Sequence, residues 1–119
     1  MSITSTPTIG LIEKYLELVT SRHETIVSNM ANVDTPGFHT RDVDFRTEMQ
    51  RAINMGQDAG QMRPVAKNVV GLLERPDGNN VNLDREGMLL AETQMQFQIG
   101  VQLVKSEFHR LMSAINEGK

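Results

Sequence analysis

The side chains that could bind a metal or transfer a proton are three histidines and fifteen acidic residues. His23, His39 and His109 are too far apart in the sequence to form a local ligand pair, and none lies in an H-x-x-x-H or H-E-x-x-H spacing. The chain has no cysteine, so disulfides, thiolate metal sites and cysteine nucleophiles are excluded. It also lacks a G-x-S-x-G, a phosphate-binding loop and a dinucleotide-binding pattern. The sequence therefore predicts no catalytic residue, cofactor or metal, and disfavours a small metal-dependent enzyme.

Composition and charge exclude further classes of partner. The chain has 119 residues, the size of one domain, and a net charge of −3 with acidic and basic residues interspersed. Because no basic patch is present, we expect no nucleic acid partner. No stretch approaches the roughly 20 apolar residues that span a bilayer, and residues 1–8 lack the basic and apolar regions of a signal peptide. We expect one assembling unit over residues 1–119 with no transmembrane segment.

Two long terminal helices must position the remaining side chains. Residues 9–34 predict the first helix, because apolar residues recur at alternating steps of four and three, as in a coiled coil, with His23 as the break. Thr8 offers an N-cap oxygen, and Pro36-Gly37 ends the helix. The stripe expected to face a partner helix within the subunit comprises Ile12, Leu16, Val19, Ile26 and Met30.

The second predicted helix covers residues 82–117. Asn82 is its expected N-cap, while Asp84 and Glu86 place negative charge in the first turn, where the helix dipole favours it. The helix is about 50 Å long at 1.5 Å per residue, so it outlasts its partner. Its expected inward stripe, in which Gln94 is the polar member, comprises Leu90, Phe97, Val101, Val104, Phe108, Leu111 and Ile115.

The middle segment, residues 35–81, lacks a sustained period. Residues 45–53 predict a short helix, residues 54–60 a polar linker, residues 65–73 a short strand and residues 76–79 a turn. The predicted fold class is therefore all-α. Its long N- and C-terminal helices form an antiparallel, coiled-coil-like hairpin, and the irregular middle segment holds at most a small strand or hairpin.

The second helix carries a second apolar face. At 100° per residue, Met95, Ile99 and Leu103, together with Met88, lie opposite the inward stripe. A chain of this size has little material to cover both faces, and exposed apolar patches are typical of association sites. We therefore predict a self-assembling structural subunit whose Met95, Ile99 and Leu103 contact neighbouring copies. In the alternative, the middle segment folds back over this face in a small globular bundle.

Two asparagine-rich segments lie at the helix boundaries. The segment from Asn29 to Phe38 resembles the Asn-x-Ala-Asn-x-x-Thr-x-Gly-aromatic signature of flagellar basal-body rod and axial proteins. The segment from Asp77 to Glu86 resembles the one that opens the C-terminal helix in proximal rod proteins of the FlgB type. The matching residues are Asn29, Asn32, Thr35, Gly37 and Phe38 in the first segment, and Asn80, Val81, Asn82, Asp84 and Glu86 in the second. Departures from the family pattern are Gly87, Thr93 and Glu107.

The resemblance implies a location and a set of partners. Proteins of this family form the proximal rod of the bacterial flagellum, on the periplasmic side of the basal body, and the flagellar type III apparatus exports them without a cleaved signal peptide. The implied partners are copies of the chain, other rod proteins, and components of the membrane ring and the export-gate base. The compact middle segment favours the proximal rod, because distal rod and hook relatives carry a larger inserted domain.

A short motif and a competing function complete the set of expectations. Phe45-Arg-Thr-Glu-Met49 resembles the Phe-x-x-x-apolar pattern by which exported axial subunits engage the export gate, although an amphipathic turn explains the same spacing. The competing function is a soluble helical adaptor, such as an export chaperone, whose apolar stripes receive another protein's helix.

Overall fold

The computed structural model describes residues 7–117, apart from the side chain of Gln57. These residues form an elongated body of 69 × 25 × 18 Å. Its elements, in chain order, are α1 (Pro7–Ala31), β1 (Arg41–Val43), α2 (Phe45–Met55), a 3-10 helix (Gly56–Gln61), β2 (Ala66–Asn68) and α3 (Leu83–Glu117). The predicted hairpin of long terminal helices is confirmed, and the middle segment holds a small two-stranded antiparallel sheet.

Helices α1 and α3 run antiparallel. The Tyr15 hydroxyl donates to the Gln96 carbonyl at 3.0 Å, and further towards the end of α1 the Arg22 guanidinium donates to Glu92 at 3.2 Å. In this pairing Pro7 lies level with about residues 104–107, so roughly the last three turns of α3 extend past the described part of α1. The C-terminal helix is therefore only partly covered by its partner.

The predicted start and end of the first helix were both wrong. The chain is already helical at Pro7, so Thr8 lies inside the helix and does not cap it. The helix ends at Ala31 instead of residue 34, because beyond it the backbone bonds change to turns of three residues: the Val33 N–H donates to the Met30 carbonyl at 3.3 Å and the Thr35 N–H to the Asn32 carbonyl at 3.0 Å. The Asn32 amide also donates to the Ser28 carbonyl at 2.8 Å, beside the last helical hydrogen bond.

The start of α3 shows the expected capping geometry. The Oδ1 atom of Asn82 accepts a hydrogen bond from the Arg85 backbone N–H at 3.1 Å, and the helix begins at the next residue, Leu83. Asp84 and Glu86 both lie in the first turn, where the positive end of the helix dipole stabilises their negative charges.

The middle segment packs mainly on α1 and contacts α3 much less. Its apolar side chains join Leu18, the fully buried residue on the side of α1 that faces α2. The polar linker expected at residues 54–60 was wrong, because the chain forms a 3-10 helix there that turns Ala59 inward. The cluster comprises Leu18, Ala52, Ala59 and Met62, with Phe45 and Met49 packed against it.

Local hydrogen bonds fix α2 and the sheet. Asp44 caps α2 by accepting from the Thr47 N–H at 3.2 Å, and this backbone hydrogen bond lowers the pKa of the Asp44 carboxyl. Strand β1, which was not predicted, pairs with β2 from Arg41↔Asn68 to Val43↔Ala66. The strand expected over residues 65–73 is limited to residues 66–68, and beyond it the Val70 and Leu73 side chains are 90% and 92% exposed.

The inward stripe predicted for α3 was wrong, because the side of α3 that is buried lies about one residue step around the helix from it. Four of its large apolar members are not buried against α1: Phe97, Val104 and Phe108 are 48%, 44% and 55% exposed, and Ile115 is exposed too. Leu90, Val101 and Leu111 are half-buried. The residues that α3 instead buries are Glu86, Leu89, Thr93, Gly100 and Glu107.

Close approach of the two helices explains this rotation. A Cβ atom on Gly100 would lie 2.4 Å from Leu16 Cδ2 and 3.1 Å from Tyr15 Cε1, so only glycine fits without a shift. Small residues at the crossing let α1 approach, while larger apolar residues are left at the flanks. On α1 the expected residues do turn inward: Ile12, Val19 and Ile26 are buried, and Leu16 and Met30 are half-buried.

Candidate assembly site

Asn29, at the end of α1, is almost completely buried and binds the backbone of β1. Its Nδ2 donates to the Arg41 carbonyl at 2.7 Å, and its Oδ1 accepts from the Arg41 N–H at 3.1 Å. The amide thus satisfies both polar groups of one strand residue, as a neighbouring strand would. This side chain ties the end of α1 to the sheet.

Asn79, which is fully buried, ties the turn after α1 to the segment before α3. Its Nδ2 donates to the carbonyls of Asn32 and Thr35, each at 2.9 Å. Its Oδ1 accepts from the Val81 N–H at 2.8 Å. The amide therefore uses both of its N–H donors and one of the two lone pairs of Oδ1, as expected for a buried polar group.

Asn80 makes the adjacent connection. Its Oδ1 accepts from the Thr40 N–H at 2.6 Å, and its backbone N–H donates to the Phe38 carbonyl at 3.2 Å. The backbones of the two turns also meet, because the Gly37 N–H donates to the Asp77 carbonyl at 2.9 Å.

Glycine is required where these turns touch. Gly37 and Gly78 both have positive φ angles, of 76° and 87°. A Cβ atom on Gly78 would lie 3.2 Å from the Gly37 Cα, which is tighter than ordinary contact. Two glycines therefore allow the two backbones to approach.

We call residues 29–40 and 77–82 together the asparagine junction. The sequence singled out most of its members as two separate helix-boundary segments, and the structure brings the two segments into direct contact. Asn79 and Thr40 were missed as binding residues. The consecutive asparagines Asn79 and Asn80 were the available signal, since buried amides need specific partners. The partners themselves lie 40 to 47 residues away in the chain.

A charge network next to the junction joins α1, β1 and α3. Arg22 donates to both oxygens of Asp42, at 3.0 and 3.3 Å, and Asp42 also lies 3.5 Å from Arg85. Burial acts to lower the pKa of the Arg22 guanidinium, but the hydrogen bonds and charge of Asp42 and Glu92 outweigh it and raise the pKa. Arg22 is therefore cationic, and its charge is compensated at the place where three elements meet.

Two exposed apolar faces flank the contact between α3 and α1. One, the methionine face, consists of Met88, Met95, Ile99 and Leu103. The other, the phenylalanine face, consists of Phe97, Val104, Phe108 and Met112. At 100° per residue the two faces point in nearly opposite directions. The intersubunit residues predicted from the sequence thus lie on one of two exposed faces, and part of the predicted intrasubunit stripe forms the other.

A groove of about 440 Å³ borders the phenylalanine face between α1 and α3. In it His23 Nδ1 lies 3.4 Å from Thr93 Oγ1, so the imidazole and the hydroxyl are each other's neighbours across the helix contact. Thr93 also donates to the Leu90 carbonyl at 2.8 Å. Of the residues that depart from the family pattern, Thr93 therefore faces α1 and not a neighbouring subunit. Gln94, expected within the inward stripe, is exposed at the groove edge.

The Phe45 and Met49 side chains, which resemble an export-gate motif, pack against the core cluster. The Phe45 ring meets the Tyr15 ring edge to face, with centroids 5.3 Å apart. Burial raises the pKa of the Tyr15 hydroxyl. In the folded subunit these two residues are therefore part of the packing between α1 and α2.

No three histidine or acidic side chains within residues 7–117 are placed to hold a metal ion. None of the helices in the same range combines the length and the apolarity needed to cross a membrane.

No protein-family model matches the chain, but individual relatives do. It is 27% identical to the flagellar basal body rod protein FlgB of Escherichia coli (strain K12) and 29% identical to FlgB of Salmonella typhimurium, each over 125 residues covering 89% of this chain and 91% of the relative. FlgB of Borrelia hermsii is 31% identical over 111 residues, covering 76% of this chain and 82% of the relative. The chain therefore belongs to the FlgB family of flagellar basal body rod proteins.

Proposed function

We propose that the chain is a subunit of the proximal flagellar rod that assembles, through its terminal helices, with copies of itself and with other rod proteins. Family membership supports the rod. The observation that carries self-assembly is that α3 exposes apolar side chains on both sides of its contact with α1. In this role the subunit links the membrane ring and the export-gate base to the rest of the rod, on the periplasmic side of the basal body.

The size of the exposed faces favours contacts with more than one neighbour. Met95, Ile99 and Leu103 are 64%, 52% and 44% exposed. Full burial of such a side chain stabilises by about 1.5–3 kcal/mol, so covering one face of half-exposed residues supplies about 3–5 kcal/mol. Association costs about 4–15 kcal/mol in lost freedom, which one such face barely offsets. Stable binding therefore requires both faces, as in a polymer where each subunit has several neighbours.

The asparagine junction supports a mechanical role. Its side-chain hydrogen bonds join the end of α1, the sheet and the start of α3 at one end of the hairpin. Because these donors and acceptors are buried and paired, separating the helices at this end leaves polar groups without partners. A load applied to one terminal helix is then transmitted to the other.

Export of the subunit without a cleaved signal peptide, by the flagellar type III apparatus, is the second part of the proposal. Phe45 and Met49 would engage the export gate. Because both are half-buried against Leu18 and Ala52 in the folded subunit, engagement requires α2 to have left the core. The motif is thus available in an unfolded chain and withdrawn once the subunit folds.

A secretion and fractionation assay tests the proposed function. In a rod-deficient strain with an intact export gate, we expect the full-length chain in the periplasmic fraction, and in the same strain without the gate we expect it only in the cytoplasmic fraction. In a strain that builds rods, the chain should copurify with basal bodies.

The adaptor alternative gives the opposite result in the same assay. An export chaperone stays in the cytoplasmic fraction of both strains and purifies as a discrete heterodimer. A cytoplasmic enzyme of the same strain, assayed in the periplasmic fraction, controls for lysis. Retention of the chain in the cytoplasm of both strains, together with its absence from basal bodies, would overturn the proposed function.

A further inference from the structure

The two exposed faces of α3 are related by a constant offset of nine residues. Each member of the methionine face has an exposed member of the phenylalanine face nine positions later, which gives the pairs Met88–Phe97, Met95–Val104, Ile99–Phe108 and Leu103–Met112. No other offset towards the C-terminus places an apolar residue of α3 opposite all four. The relation is therefore a register of four pairs with the same spacing on both faces. Ile115, which is also exposed on the phenylalanine side, lies beyond these pairs, opposite Ser106.

Helix geometry turns this register into a position for a second copy. Nine residues are two and a half helical turns, which correspond to about 14 Å along the axis and half a turn around it. The two faces consequently point in opposite directions and are displaced along α3. A copy placed beside the first with its α3 parallel, shifted by about 14 Å, brings its phenylalanine face onto the whole methionine face.

We infer that the methionine face of one copy binds the phenylalanine face of the next copy in this nine-residue register. The inference rests on the proposed function, because it names the partner surface within an assembly of copies. The chemistry of the two faces is complementary: two methionines on one side meet Phe97 and Val104 on the other, and thioether sulfur packs well against aromatic rings.

The surroundings of the faces fit this occupant. Gln98, Gln102 and Ser106 border the stretch from Met95 to Leu103, so a neighbour that binds there meets uncharged side chains. Glu92, the charged residue between Met88 and Met95, is already paired with Arg22 at 3.2 Å. The contact is heterologous, since each copy offers a different face to each neighbour, and repeated heterologous contacts build open, polar assemblies. Binding of one face to itself would instead give closed pairs, which would leave the second face exposed.

Disulfide crosslinking tests the register directly, because the chain has no cysteine of its own. The full-length variant carrying both Ile99→Cys and Phe108→Cys is expressed as the sole copy in a motile strain, and isolated basal bodies are oxidised. A disulfide forms when Cα atoms are about 4.4–6.8 Å apart, whereas residues 99 and 108 of one chain are about 14 Å apart. We therefore expect dimers and higher oligomers on non-reducing gels, and only monomer from either single variant.

A matched control changes the register and keeps the faces. The pair Ile99→Cys with Phe97→Cys also takes one residue from each face, but in the inferred register these residues lie about 16 Å apart along the axis. Crosslinking by this pair, or by Ile99→Cys alone, at the level of the first pair would overturn the inference. Should the first variant fail to assemble, Met95→Cys with Val104→Cys probes the same register with a smaller loss of side chain.

The outcomes separate the inference from the proposed function. If the chain is absent from basal bodies even without substitution, the proposed function fails. If the unsubstituted chain is present and a cysteine pair assembles but the 99–108 and 95–104 pairs stay monomeric, the register fails and the rod assignment stands.

Discussion

The side-chain amide of Asn29 pairs with the backbone of Arg41 through both of its polar atoms, at 2.7 and 3.1 Å. A helix side chain thus occupies the outer edge of β1, where an unpaired strand would otherwise present a free donor and acceptor. Because the Asn29 side chain is almost completely buried, the identity of its atoms matters as much as its size.

Replacing Asn29 with aspartate should destabilise the subunit by about 2–4 kcal/mol at pH 7, because a carboxylate oxygen would face the Arg41 carbonyl in a buried site. Burial disfavours the charged form, so the pKa of the new carboxyl rises above its unfolded value. The destabilisation should then shrink as the pH falls towards 4, since the protonated acid can donate again. Urea unfolding at both pH values measures this. Asn116→Asp, at an exposed position of α3, should change stability by less than about 0.5 kcal/mol.

Asn79→Ala removes three hydrogen bonds that join the two turns. We expect a loss of about 1–3 kcal/mol, because the Val81 N–H loses its partner and the Asn32 and Thr35 carbonyls each keep only a backbone hydrogen bond. Native-state hydrogen exchange should show the loss locally, with faster exchange at the Val81 amide. Asn68→Ala, at an exposed position in β2, serves as the control. Unchanged protection of Val81 in the Asn79 variant would contradict the assigned role of that amide.

Two glycines of α3 should respond to alanine with opposite signs. A Cβ atom on Gly87 meets nothing within 4 Å, so Gly87→Ala should stabilise by about 0.5–1 kcal/mol through helix propensity. At Gly100 the new methyl group meets Leu16 and Tyr15, and Tyr15 is held by its bond to Gln96. Overpacking there costs about 1–3 kcal/mol, which exceeds the propensity gain. Thermal unfolding of both variants compares them, and equal shifts in Tm would refute the close helix contact.

Ile99→Asp should abolish rod assembly and motility while leaving export intact, because a carboxylate cannot be buried in the methionine face without a partner. The matched control, Asn116→Asp, adds the same charge at an exposed polar position of α3 outside the methionine face. Swimming assays measure motility, and immunoblots of the periplasmic fraction measure export. Normal motility in the Ile99 variant would remove this face from the assembly surface.

The sequence predicted the elements better than their rotation. Apolar periodicity and capping residues located both terminal helices to within a few residues, since these signals are local. The inward side of α3 was assigned to Phe97, Val104 and Phe108 because large apolar residues usually mark a seam. In the structure Gly100 and Thr93 set the contact instead, and periodicity gives small residues too little weight to show this.

The candidate site was predictable in its members but not in its connections. Local capping accounts for the roles of Asn32 and Asn82, which bind groups three or four residues away. The partners of Asn79 and Asn80 lie 40 or more residues away, and which amide meets which carbonyl depends on how the middle segment returns. Three-residue strands such as β1 are too short to leave a periodic signal.

The asparagine junction brings both ends of the middle segment together, since Asn80 donates to the Phe38 carbonyl at 3.2 Å. The hairpin is therefore closed independently of the chain that lies between residues 41 and 76. Lengthening a closed loop costs only about 0.6 kcal/mol for each doubling, so the terminal helices can accept a larger insert at this place and keep their geometry. The junction makes the subunit a frame with one interchangeable part: the same two helices can carry middle segments of different size.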